Sequence, residues 1–156
     1  MAEGLRSVTW PARLTPLKGR LRDLLPPGHE LWLDGGHNAH GAAALAAALA
    51  QMQRARPAPL VIIVGMMNTR APADFLAPFA GKAAKVYALT IPGEANAHDA
   101  ETIASAGREA GFDAEARRSL GAALKAAAAI EGARVVICGS LYLAGAVLAQ
   151  NRTPPD

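Results

Sequence analysis

The sequence is poor in the residues that stabilise small secreted proteins and in those that bind nucleic acids. A single cysteine, Cys138, among 156 residues excludes an internal disulfide and is typical of a protein from a reducing compartment. Aromatic residues make up only 4% of the chain, so no aromatic platform for bases is expected. Basic residues are scattered and the formal net charge is only +3. This composition does not favour a nucleic-acid partner.

Long apolar segments are also absent. The longest apolar runs, near residues 41–50 and 141–149, are about half the length of the ~20 residues that a membrane-spanning helix needs. The N-terminus lacks the charged segment followed by an apolar stretch that marks a signal peptide. We therefore expect a cytoplasmic protein without a membrane partner. A hydrophobic content of 51% is enough for the core of one compact domain.

The common phosphate-binding patterns are missing from the sequence. There is no G-x-x-x-x-G-K-[ST] loop and no G-x-G-x-x-G fingerprint, and Gly81-Lys82 is followed by alanine. No Ser–His–Asp or paired-carboxylate arrangement is recognisable. We expect that this chain alone does not cradle a triphosphate and is not a self-contained enzyme.

Glycine and proline divide the chain into short apolar runs and longer alanine-rich segments. Most of the short runs lack polar alternation, which is typical of strands that are covered on both faces. Strands are predicted at residues 30–34, 60–65, 85–90 and 134–138, with a weaker one near 112–116. Apolar residues recur at helical spacing in the longer segments, which predicts helices at residues 41–53, 74–80, 98–110, 119–130 and 141–150.

Alternating strands and helices predict an α/β fold with a mostly parallel sheet. The opening segment, residues 7–17, contains Pro11 and Pro16, which exclude it from a central strand. It is predicted to be an edge strand or an extended arm. The expected organisation is a flexible segment at 1–6, one domain at 7–150 and a disordered tail at 151–156.

The most informative strand end is the segment that runs from Asp34 to Gly41. Ligands of open parallel sheets bind beyond the carboxyl ends of the strands, near helix N-termini. Asp34 can accept hydrogen bonds from ribose hydroxyls, and His37 can donate to a phosphate. Asp34 and Asn38 can equally well cap the following helix, and the pattern leaves both interpretations open. The spacing of Asp34, His37 and His40 is not that of a zinc site, so no metal site is expected.

Two other strand ends carry polar groups. Ser140 is suited to cap the last helix, and its hydroxyl can alternatively hold a carboxylate. Cys138 beside it is predicted to be a core residue rather than a nucleophile. The loop at 65–70 offers Asn68, Thr69 and Arg70, and a solvated turn is the favoured interpretation there.

Four short motifs in this sequence resemble a known family. They are W-P-A-R-L at 10–14, D-G-G-H-N-A-H at 34–40, a strand that ends in G-M at 65–66, and C-G-S-L-Y at 138–142. In this order they resemble the C-terminal domain of folylpolyglutamate synthases, members of the Mur ligase superfamily, over residues 7–150. The resemblance implies a Rossmann-like, three-layer α/β/α domain with a mostly parallel sheet of about six strands and one antiparallel edge strand.

The resemblance also implies a function for the whole protein. It would be an ATP-dependent ligase that joins L-glutamate to a folate through an acyl phosphate, with dihydropteroate as a second candidate substrate. In this family the C-terminal domain closes over ATP, which is held by the P-loop of a larger N-terminal ATPase domain. That larger domain also supplies most of the ligands of Mg²⁺. The present chain would be the C-terminal domain of such an enzyme and inactive alone. A freestanding Rossmann-like module for nucleotide sensing or protein interaction remains the alternative.

Carried over residue by residue, the resemblance assigns roles to five side chains. Arg13 would contact the ATP phosphates, Asp34 and His37 the nucleotide, and Asn38 the same ligand. Ser140 would lie near the incoming glutamate.

Some positions depart from the family pattern. Ala12, Gly36 and Ala39 replace other small or cyclic residues. Thr69, Arg70 and Ala71 stand where relatives show an acidic–Lys–Asp run, so the positive charge is kept and a carboxylate is lost. The role of this loop is not assigned by the resemblance.

Overall fold

The computed structural model describes residues 14–151 of the chain. These residues form six strands, five α-helices and two 3₁₀ turns, at Arg22–Leu24 and Ala77–Phe79. The strands are β1 (Thr15–Pro16), β2 (Glu30–Leu33), β3 (Leu60–Val64), β4 (Lys85–Ala88), β5 (Ala114–Ala116) and β6 (Arg134–Cys138). The helices are α1 (Ala39–Ala55), α2 (Pro72–Leu76), α3 (Ala100–Glu109), α4 (Leu120–Ala128) and α5 (Leu141–Asn151).

All six strands belong to one sheet in the order β1-β2-β6-β3-β4-β5. Only β1 pairs with its neighbour antiparallel, and the other pairs are parallel. The predicted α/β fold with a mostly parallel six-stranded sheet and one antiparallel edge strand is thus confirmed. Pro16 lies on that edge strand, where a missing N–H does no harm. The part of the predicted arm that contains Arg13 lies outside the described residues.

Helices cover the sheet on both faces, and this explains the uninterrupted apolar character of the strands. Ile62 and Val64 of β3 pack with α1, α2 and α3 in one core cluster. Val61 and Ile63 of the same strand point the other way and pack with α4 and α5. Because alternate side chains enter two different cores, every residue of β3 is buried.

Local signals account for most helix boundaries. Asn38 caps α1, since its side chain accepts a hydrogen bond from the Gly41 N–H at 2.8 Å. The predicted helix at 74–80 is shorter in the structure. It begins at Pro72, which suits the first turn of a helix, and changes to a 3₁₀ turn at Ala77–Phe79. None of the helices between residues 14 and 151 has the length and apolar character needed to cross a membrane.

The prediction of a disordered tail that starts at residue 151 is wrong at its first residue. Asn151 is the last residue of α5 and is only 4% exposed. Its Oδ1 accepts a hydrogen bond from the Leu21 N–H at 2.9 Å, and its Nδ2 donates to the Lys18 carbonyl at 2.6 Å. These bonds join the end of the last helix to the segment that follows β1. Residues 152–156 lie outside the described part of the chain.

A buried ion pair joins β2, β6 and α1 at the amino edge of the sheet. Arg134, at the start of β6, is only 2% exposed and donates from Nε to Glu30 Oε1 at 2.7 Å. Its other nitrogens donate to Gln53 Oε1 at 2.9 Å and to the Arg56 carbonyl at 2.8 Å. The hydrogen bond from Arg134 is the main reason why the pKa of Glu30 falls to about 2.

Candidate functional site

The connections between strands create a crevice at the carboxyl edge of the sheet. Helices α1 and α2 follow β2 and β3 and pack on one face. Helix α5 follows β6, which lies between those two strands, and packs on the opposite face. The chain therefore diverges on both sides of the β6 end. Such switch points are where open α/β sheets bind ligands.

Three loop backbones come into contact at this point. The Gly139 N–H donates to the Gly36 carbonyl at 3.2 Å, and the Gly65 N–H donates to the Cys138 carbonyl at 3.2 Å. Gly139 has a φ of 114°, and a Cβ there would lie 2.4 Å from the Gly65 carbonyl oxygen. Only glycine permits this approach, so the close convergence of the loops depends on residue 139.

The loops that follow β2, β3 and β6 enclose a cavity of about 140 Å³. It is smaller than the roughly 300–1,000 Å³ of typical small-molecule sites, so a whole nucleotide would extend well beyond it. A single carboxylate or phosphoryl group is of suitable size. The cavity is lined by His37, Met66, Met67, Thr69, Arg70, Gly139, Ser140, Leu141 and Tyr142.

Ser140 has the predicted capping geometry and also borders the cavity. It is 2% exposed, its Oγ accepts a hydrogen bond from the Tyr142 N–H at 2.9 Å, and its carbonyl accepts from the Ala144 N–H at 3.1 Å. Capping of α5 is therefore established by the structure. Contact between the Ser140 hydroxyl and glutamate stays a prediction.

The structure places the nucleotide-binding candidates at different depths. His37 is exposed and borders the cavity. Asp34 is 6% exposed, and its Oδ2 accepts a hydrogen bond from the Gly36 N–H at 2.8 Å. The carboxylate thus shapes the glycine turn, whereas its contact with a nucleotide stays a prediction. Arg13 lies outside the described residues.

The remaining groups near the site have structural partners or lack the character of a nucleophile. Asn38 is engaged as the cap of α1. Cys138 is buried, and burial raises the pKa of its thiol, so it is protonated at neutral pH. Within residues 14–151, no cluster of His, Cys, Asp and Glu side chains is suited to hold a metal ion.

The loop at 66–70 was not predicted as part of the site. Its residues Met67, Thr69 and Arg70 line the cavity together with His37. A solvated turn was the favoured interpretation of this loop from the sequence alone. The missing information was the strand order, which puts β6 directly beside β3.

Comparison with known families agrees with the fold. The family model described as the Mur ligase, glutamate ligase domain, matches residues 21–141. This is more than half of the chain, and the protein belongs to this family of Mur ligase C-terminal domains. A search of curated protein sequences gave no significant match.

Solved structures of folylpolyglutamate synthases are similar to this chain. The enzyme from Mycobacterium tuberculosis, complexed with ADP and AMPPCP, is 26% identical with a TM-score of 0.73 over 98% of this chain and 35% of its own. The enzyme from Thermotoga maritima is 24% identical with a TM-score of 0.69, over 97% of this chain and 32% of its own.

A bifunctional folylpolyglutamate/dihydrofolate synthase from Yersinia pestis, complexed with AMPPNP and a Mn ion, is 24% identical with a TM-score of 0.70. The match covers 94% of this chain and 32% of that one. At 24% identity, the similarity to the Thermotoga maritima and Yersinia pestis enzymes shows that they share the fold of this chain. The chain spans about a third of the length of these structures.

Proposed function

We propose that this chain is the C-terminal lid of an ATP-dependent folate:L-glutamate ligase. The observation that carries the proposal is the joining of His37, Arg70 and Ser140 around one small cavity in a Mur ligase C-terminal domain. Solved relatives with the same fold were crystallised with ATP analogues. The substrate is a folate, and dihydropteroate is a further candidate.

The size and charge of the cavity support a lid rather than a complete nucleotide site. Arg70 brings a permanent positive charge to the cavity, and His37 adds a hydrogen-bond donor. No acidic residue of the described part of the chain lines the cavity. A carboxylate or a phosphoryl oxygen fits such a set because guanidinium groups form charge-assisted hydrogen bonds with both. The rest of ATP needs a second surface, which we assign to an N-terminal P-loop ATPase domain.

The reaction would use the two sides of the crevice differently. ATP transfers its γ-phosphoryl group to a carboxylate of the folate, which gives an acyl phosphate and ADP. The amine of glutamate then attacks the acyl carbon, the amide bond forms, and phosphate leaves with the C–O bond electrons. Arg70 and Ser140 would orient the carboxylate of glutamate, and His37 and Arg13 would face the phosphates.

The described residues do not fit a divalent metal, so we assign the ligands of Mg²⁺ to the ATPase domain.

Activity of the isolated chain tests the proposal. We expect no phosphate release when the purified 156-residue chain is mixed with ATP, Mg²⁺, tetrahydrofolate and glutamate. The same assay on a polypeptide that joins this chain to its P-loop domain should show turnover. Sustained turnover by the isolated chain would contradict the lid. Calorimetry distinguishes the lid from a freestanding nucleotide-sensing module. Low-micromolar ATP binding by this chain alone would indicate a nucleotide sensor.

Two substitutions at Asp34 separate turn formation from ligand contact. In the ligase, Asp34→Ala removes both the charge and the acceptor for the Gly36 N–H. Asp34→Asn keeps an acceptor oxygen and removes only the charge. If Asp34 contacts the nucleotide, both variants should lose roughly 2–4 kcal/mol of transition-state stabilisation, measured as kcat/KM for ATP. Full activity of Asp34→Asn would show that turnover does not need the negative charge of Asp34.

Arg13→Ala should show a loss of similar size in the same assay if its guanidinium faces the phosphates. Glu109→Ala, an exposed change at the far end of α3, is the control for both positions.

A further inference from the structure

The loop at 66–70 is held by a segment that the sequence did not connect with the site. The Asn68 N–H donates to the Asn96 carbonyl at 2.8 Å, and the His98 N–H donates to the Met66 carbonyl at 2.8 Å. Between these bonds, Met67 and Ala97 form an antiparallel bridge. We name this pairing of residues 66–68 with 96–98 the clasp.

The side chain of His98 extends the clasp to Arg70, which lines the cavity. Its Nε2 lies 2.7 Å from the Arg70 carbonyl oxygen. A carbonyl oxygen only accepts hydrogen bonds, so Nε2 carries the hydrogen in this contact. The bond fixes the backbone of Arg70, which lies beyond the last main-chain bond of the clasp.

His98 lies directly before the N-terminal cap of α3, and hydrogen bonds hold this turn in place. The next residue, Asp99, caps α3 by accepting from the Glu101 N–H at 3.1 Å. The Ala100 N–H donates to Thr90 Oγ1 at 2.8 Å, which ties the same turn to the segment that follows β4. The backbone that carries the His98 imidazole is therefore held by two hydrogen bonds in the adjacent turn.

We infer that His98 is a positioning residue that sets the place of Arg70 in the cavity. This inference rests on the proposed function, in which Arg70 orients the carboxylate of glutamate. His98 does not line the cavity itself and acts through the Arg70 backbone. A small displacement of an orienting group weakens substrate binding, and here it should act on glutamate before it acts on ATP.

Steady-state kinetics of the ligase test the inference. His98→Ala should raise the KM for glutamate about three- to tenfold, the range that loss of one hydrogen bond gives, with kcat and the KM for ATP little changed. His98→Gln should restore most of the affinity, because its amide N–H can reach the same carbonyl. Glu109→Ala, at the far end of the helix that follows His98, should match the wild type.

A double-mutant cycle shows whether His98 acts through Arg70. Arg70→Gln alone should raise the KM for glutamate, and adding His98→Ala to it should have little further effect. Fully additive effects, or an equal fall in kcat for all substrates without a change in KM, would overturn the inference.

Hydrogen exchange tests the clasp without any assumption about activity. In the 156-residue chain, the amides of residues 68–70 should exchange faster in His98→Ala than in the wild type or in Glu109→Ala. Unchanged exchange would refute the role of the His98 side chain in holding Arg70. Faster exchange in a chain whose full enzyme lacks ligase activity would instead refute only the proposed function.

Discussion

At the scale of single residues, Glu30 and Arg134 show how one ion pair can connect distant parts of the chain. The pair joins the amino ends of β2 and β6, and Gln53 and the Arg56 carbonyl add α1 to it. Arg134 is buried, so removal of its partner leaves a charge that water cannot reach. Such a loss is far more costly than the net value of an ion pair.

We therefore expect Glu30→Gln to lower the free energy of unfolding by about 3–5 kcal/mol, measured by urea denaturation at neutral pH. The exposed pair between Glu101 and Arg108 provides the control. Glu101→Gln should cost less than about 1 kcal/mol, because water screens both charges. Equal losses in the two variants would contradict the importance of burial.

Acid should reveal the same pair. The pKa of Glu30 is lowered from its ordinary value of 4.5 to about 2 in the folded protein. A depressed carboxyl pKa contributes stability that is complete above the unfolded value and is lost as pH falls through the folded value. Between pH 4.5 and 2, the thermal midpoint of the wild type should fall more steeply than that of Glu30→Gln. Parallel curves would show that Glu30 is not the group responsible.

At the scale of elements, most of the fold could be predicted because its signals are local. The strand at Arg134–Cys138 was predicted with its observed bounds, since its apolar run lies between Gly132 and Gly139. Asn38 and Ser119 cap α1 and α4 and mark where those helices start. The helix at 74–80 was less accurate, because the α-helix begins earlier, at Pro72, and is followed by a 3₁₀ turn that contains Pro78.

The candidate site was only half predictable for the opposite reason. His37 and Ser140 follow apolar runs, and the sequence singled them out. Arg70 and His98 gain their significance from the order of strands and from a contact between two loops. No local pattern in the sequence predicts the order of the strands in the sheet.

Gly139 connects the three loops, and its substitution should affect all of them. We expect Gly139→Ala to destabilise the chain by several kcal/mol, since a Cβ would lie 2.4 Å from the Gly65 carbonyl oxygen. Gly132 serves as the control, because it has a φ of 67° and a Cβ added there would meet no atom within 4 Å. Gly132→Ala should cost only about 1–2 kcal/mol of backbone strain, measured by the same denaturation. Similar losses at both positions would exclude the loop contact as the cause.

At the scale of the whole molecule, Asn151 joins the last residue of α5 to the segment that follows β1. We expect Asn151→Ala to lower the free energy of unfolding by about 1–3 kcal/mol, because the Leu21 N–H and the Lys18 carbonyl lose their partner. Asn151→Asp keeps the acceptor and should lose less. Gln150→Ala, an exposed neighbour, is the control, and calorimetric unfolding is the measurement. Wild-type stability of Asn151→Ala would show that the junction is dispensable.

The place of β6 in the middle of the sheet has a consequence for synthesis on the ribosome. β2 and β3 are made early, but each faces β6 along one side and they do not pair with each other. Until residue 138 has left the exit tunnel, both carry an open hydrogen-bonding edge that other nascent chains can occupy. The sheet can therefore be completed only after β6 has been made and can pair with both strands.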